Sequence, residues 1–94
     1  MAVLALRRTA VANFFVLESP AGVGHSYCLA SASGLPCAAT DNSTAAAAAA
    51  SLGDFFGNKF PELASSPFFL TGESYAGVYV PTLARRLLDL DRTG

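Results

Sequence analysis

The strongest feature of the chain is where its apolar residues bunch. Residues 11–17 (Val-Ala-Asn-Phe-Phe-Val-Leu) form a short run rich in β-branched and aromatic side chains, ended by Glu18-Ser19-Pro20. Its length and flanks predict a buried strand, not a helix. Two glycines and a proline then make residues 20–24 a loop. Residues 28–43 are small and polar, with Gly34 and Pro36, and predict an exposed loop. Thr44 is the expected N-cap of a helix through the alanine run, Ala45 to Ala50, and on through Leu52, Asp54, Phe55 and Phe56. Gly53 and Gly57 weaken that helix and Phe60-Pro61 ends it. Leu52, Phe55 and Phe56 give it one face to pack on a sheet.

After a turn at Ser65-Ser66-Pro67, residues 68–71 (Phe-Phe-Leu-Thr) predict a second short buried strand. It runs directly into Gly72-Glu73-Ser74-Tyr75-Ala76-Gly77. A helical pattern then extends from Val78 or Pro81 to Leu90, with Leu83, Leu87, Leu88 and Leu90 as its apolar stripe and a kink or restart at Pro81. Strand, helix, strand, tight turn, helix is the order of a βαβ unit. The expected fold class is therefore α/β, one parallel-sheet unit. No repeat or boundary divides the chain, so residues 1–94 are expected to form a single, incomplete domain.

Composition tempers this picture. Of the 94 residues 52% are apolar, yet many are alanines that bury little surface, which predicts marginal stability in isolation. A net charge of −1 with scattered basic residues, including the isolated pairs Arg7-Arg8 and Arg85-Arg86, gives no face for nucleic acid or anionic lipid. No apolar stretch approaches the roughly 20 residues of a membrane span. At the N-terminus the apolar residues precede the arginines and are few, the reverse of a secretory signal. Either the chain is not secreted as written or its true start lies upstream. Cys28 and Cys37 flank a loop and could close a disulfide in an oxidising compartment or remain free thiols. One histidine and two cysteines offer no metal-ligand pattern, so no metal and no cofactor are expected. Asn42-Ser43-Thr44 is an N-glycosylation triplet, with Asn42 as acceptor.

Chemistry concentrates at Ser74. A strand, then Gly-x-Ser-x-small, then a helix is the layout of the nucleophile elbow of α/β-hydrolases. There the serine occupies a strained bend, and the small residues Gly72, Ala76 and Gly77 let strand and helix approach. Its hydroxyl projects at a helix N-terminus, where dipole and free amides stabilise an oxyanion. The Tyr75 amide is the expected oxyanion donor. The plainer reading is a tight turn with an inert serine.

The wording extends further. Gly72-Glu73-Ser74-Tyr75-Ala76-Gly77 followed by Val-Tyr-Val-Pro resembles the nucleophile segment of the serine carboxypeptidase family, cathepsin A-like and plant branches included. Residues 17–24 with Ser26-Tyr27 resemble a second family block, usually E-S-P-A-G-V-G-F-S-Y. Residues 54–63 resemble the family helix before the nucleophile strand. The resemblance implies an α/β-hydrolase fold and release of C-terminal residues from peptides through an acyl-enzyme on Ser74. It also implies that Glu73 helps hold the free carboxylate of the peptide substrate. Two carboxyl groups bind well only when they share a proton, which calls for acid-side activity. The intact family member is expected in the secretory pathway, lysosome, vacuole or outside the cell; oligomeric state is left open.

The chain also departs from the family. A serine nucleophile needs a base and an orienting carboxylate, supplied in this fold class after the serine. Only Asp89 and Asp91 follow Ser74, and no histidine does. The sole histidine, His25, stands where the family usually has Phe and is read as a loop residue. The glycine-rich loop carrying the second oxyanion donor is absent. The alanine run replaces polar and aromatic positions, and Gly57-Asn58-Lys59 adds a residue before Phe60-Pro61. The chain alone is expected to hydrolyse no peptide. An acyltransferase relative, in which Asp often precedes the serine, and a non-catalytic truncated product are the alternatives.

Overall fold

The computed structural model describes residues 11–93; Gly94 and residues 1–10, with Arg7-Arg8 and the N-terminal apolar run, lie outside them. Two helices dominate, α1 (Asp41–Asp54) and α2 (Ala76–Thr93), with short 3-10 turns at Leu29–Ser33 and Pro61–Leu63 and a π-helical turn at Phe55–Lys59. Among the described residues no helix is long and apolar enough to cross a membrane.

The expected α/β sheet is not formed. No strand occurs among the described residues, and both apolar runs expected as strands are irregular. A strand is completed by a partner that takes up its backbone N–H and C=O groups, and an apolar run carries no information about where that partner is. Here the runs instead lie largely open to solvent. Val11 is 92% and Phe69 80% exposed, and Phe14, Val16 and Phe68 are also exposed.

α1 begins four residues earlier than expected. Thr40, not Thr44, is its N-cap: the Thr40 Oγ1 accepts the Ser43 amide at 3.1 Å and the Ser43 Oγ accepts the Thr40 amide at 2.8 Å. This reciprocal pair satisfies two amides that the first turn leaves without helical partners, so Thr44 is freed to turn inward. Thr44, Ala45, Ala48, Ala49 and Leu52 form the buried stripe, at i, i+1, i+4, i+5 and i+8, and this narrow, small-residue face packs on α2.

The two helices run side by side in the same direction. Asp41 at the start of α1 meets Tyr75 just before α2, while Leu52 and Phe56 share the wall of an apolar cleft of about 280 Å³ with Leu87 and Leu90. Parallel neighbours require the intervening chain to travel back along their length, and residues 60–75 do so. Phe55, in the π-helical turn, stacks on Phe15 (4.5 Å), Phe56 (5.1 Å) and Phe60 (4.8 Å), and Phe56 on Phe68 (5.3 Å). These rings pin both irregular apolar runs to the end of α1. α2 passes through Pro81 without a break in its helical assignment. Of its expected stripe, Leu83 and Leu87 are half-buried while Leu88 and Leu90 remain exposed.

Candidate active site around Ser74

Ser74 is the one non-glycine residue of the described chain with a positive φ, at 60°. A side chain in this left-handed region crowds the neighbouring carbonyl, so surrounding contacts must hold it there. Three contacts surround it. The Glu73 and Ser74 carbonyls accept the Ala76 and Gly77 amides at 3.1 and 3.0 Å, and Tyr75 accepts Val78 at 2.8 Å, so α2 starts directly behind the turn. Gly72 lies so close to α2 that an added Cβ would overlap the Cβ of Ala76 and come within 3.3 Å of Val80 Cγ2. The third is Tyr75, whose phenol donates to the Asp41 carboxylate, 3.0 and 3.2 Å from its two oxygens.

The Ser74 side chain is exposed. The Tyr75 amide takes no partner among the described residues. A free amide beside a serine hydroxyl at the positive end of an 18-residue helix is the arrangement that stabilises negative charge developing next to that hydroxyl. Glu73, also exposed, immediately precedes the serine. Hydrogen bonding to Asp41, followed by the charge of that carboxylate, raises the Tyr75 phenol above the usual tyrosine range, so it keeps its proton. Tyr79, one turn along α2, stacks edge-on against Tyr75 at 4.8 Å.

The second sequence block is a self-contained loop. Its Ser19–Pro20 peptide is cis. The Glu18 carboxylate accepts the His25 amide at 2.6 Å. It fills the space a side chain on Gly24 would need, and Gly24 has φ 59°. The Ser26 hydroxyl accepts the Gly22 amide at 3.1 Å and donates to the Val23 carbonyl at 2.6 Å. No hydrogen bond joins this loop to the Ser74 turn among the described residues. His25 thus takes part through its backbone, with its amide engaged by Glu18. Cys28 and Cys37 form a disulfide across the adjoining 3-10 turn, Cα to Cα 5.9 Å. Asn42 is exposed in the first turn of α1, one residue from Asp41, while Thr44 of the same triplet is buried at 6% exposure.

Ser74, Tyr75 and Glu73 therefore share one turn, and Asn42 stands on the helix that touches it. The residue missed from sequence is Asp41. It reads there as an ordinary polar loop position, and nothing local connects it to a tyrosine 34 residues away.

A family profile for serine carboxypeptidases matches residues 8–94. The chain is 46% identical over 78 residues to a serine carboxypeptidase, ctsa-4.1, of Caenorhabditis elegans, covering 83% of this chain and 16% of that protein. It is 45% identical over 84 residues to serine carboxypeptidase-like 20 of Arabidopsis thaliana, covering 89% and 16% respectively. With the lysosomal protective protein of Mus musculus it shares 46% identity over 74 residues, 79% of this chain and 15% of the relative. The matched segment thus spans about one sixth of the length of these relatives. No solved structure matches it with significance. The left-handed serine at a helix start and the extent of these matches lead to one statement: the chain belongs to the serine carboxypeptidase family.

Proposed function

We propose that this chain is the nucleophile-bearing segment of a serine-type carboxypeptidase that removes C-terminal residues from peptides. Ser74 attacks the scissile carbonyl and forms the acyl-enzyme, the Tyr75 amide donates to the resulting oxyanion, and Glu73 binds the substrate's free carboxylate through a shared proton. The observation that carries this reading is Ser74 at φ 60° with its hydroxyl and the following amide together at the start of α2. Glu73, in place of Asp, favours peptide over sugar-ester donors. No histidine follows Ser74, so the base and the second oxyanion donor belong to sequence outside these 94 residues, within one larger catalytic domain. The disulfide suits an oxidising compartment, and one relative is named as lysosomal. Both support a place in the secretory pathway, where Asn42 would be available for glycosylation.

The test is covalent labelling of the protein isolated from its source with a fluorophosphonate that reacts only with activated serines. Trypsin then releases residues 60–85, which contain Ser74. The expected result is an adduct on Ser74, lost in Ser74→Ala together with release of C-terminal residues from a blocked dipeptide. A preparation that cleaves the dipeptide while Ser74 stays unlabelled refutes the assignment.

A further inference from the structure

The hydrogen bond between Tyr75 and Asp41 stands apart from the other side-chain hydrogen bonds described above. Those at Glu18, Ser26, Thr40 and Ser43 span seven residues or fewer; this one spans 34. It joins the first turn of one helix to the residue behind the left-handed serine. Its two ends differ in rigidity. Asp41 sits on a platform fixed by the Thr40–Ser43 cap and by the buried stripe that begins at Thr44. Its carboxylate also favours the positive end of α1. Tyr75 is 53% exposed, with one ring neighbour, Tyr79, among the described residues. Burial therefore does little to hold the Tyr75 ring, and a bond to a charged acceptor is stronger than a neutral one.

We propose that Asp41 is a positioning residue for the Ser74 turn. Through the Tyr75 phenol its carboxylate ties the start of α2 to the start of α1, and so keeps Ser74 left-handed with its hydroxyl beside the Tyr75 amide. The catalytic meaning of this tie rests on the nucleophile reading above; its existence does not. The raised proton affinity of the Tyr75 phenol agrees with the contact and supplies a reporter for it.

The experiment uses the isotopically labelled full-length protein. Nuclear magnetic resonance follows the Cζ titration of each tyrosine and the φ-sensitive coupling of Ser74, with helix content checked by circular dichroism. In the wild type Tyr75 titrates above the ordinary tyrosine range, and Ser74 shows a left-handed coupling pattern. Asp41→Asn brings the Tyr75 titration down to the ordinary tyrosine range and abolishes the left-handed pattern, while helix content stays near wild type. Tyr75→Phe, which leaves the Asp41 charge at the start of α1, abolishes the same pattern and carries the test if Asp41→Asn unfolds. A wild-type Tyr75 that titrates within the ordinary tyrosine range, or a Ser74 coupling unmoved by Tyr75→Phe, overturns the proposal. Neither readout involves hydrolysis, so such a result leaves the fluorophosphonate experiment untouched, and an unlabelled Ser74 leaves these spectra unaltered.

Discussion

Replacing Ser74 by glycine should make the chain more stable while it removes the hydroxyl proposed as nucleophile. A left-handed conformation costs an L-residue about 1–2 kcal/mol, and Ser74 holds it with φ 60°. Its hydroxyl has no partner among the described residues, and the side chain is exposed. Ser74→Ala therefore removes little and keeps the strain. Ser74→Gly removes the strain but frees the unfolded chain, which returns roughly 0.5–1 kcal/mol. Taking mid-range values, the net expectation is that Ser74→Gly is about 0.75 kcal/mol more stable than Ser74→Ala. For a chain of this size that is a shift of about 3–6 °C in Tm. Thermal unfolding followed by circular dichroism at 222 nm measures it. Equal midpoints, or a lower one for the glycine variant, would mean that the turn imposes no strain on its serine. Ser74 would then be an unstrained turn residue, not one held ready for chemistry.

Two further outcomes test the packing. Gly72→Ala should destabilise the chain by about 1–3 kcal/mol, because the new Cβ overlaps Ala76 and forces residue 72 and α2 apart; urea unfolding reads the loss, and an unchanged midpoint would deny the close approach. Leu52→Ala should cost about 2–3 kcal/mol, toward the low end of the Leu→Ala range because Leu52, although only 6% exposed, already lines an open cleft. A cost under about 0.5 kcal/mol in the same assay would mean that the α1–α2 contact does not hold the chain together.

What could be read from the residues was what their immediate neighbours determine. Gly72, Ser74 and Ala76 announced a sharp turn into a helix, because small residues around a serine have a local steric meaning. The alanine run announced a helix for the same reason. Its start was misplaced because Thr40 and Thr44 are both good caps, and the choice falls to Ser43, whose hydroxyl can answer Thr40 but not Thr44. The sheet failed for a deeper reason. Residues 11–17 and 68–71 are composed like strands, but a strand is a relation between two backbones, and among the described residues no second backbone is aligned with either. Asp41 was illegible because its meaning depends on α1 and α2 lying parallel, a property of the assembled pair that neither helix contains.

The wide turn at Phe55–Lys59 has a consequence for the length of the chain. An α-helix rotates about 100° with each residue, so one surplus residue inside α1 would swing the chain beyond it around to another side. In the π-helical turn the Phe60 amide reaches back five residues to the Phe55 carbonyl, at 2.7 Å, and the surplus is taken up as extra girth in a single loop of the coil. A residue added there relative to the family, as the wording of Gly57-Asn58-Lys59 leads one to expect, would be absorbed where it occurs. Phe60 lands against Phe55, so the chain leaves the end of α1 beside its own aromatic cluster.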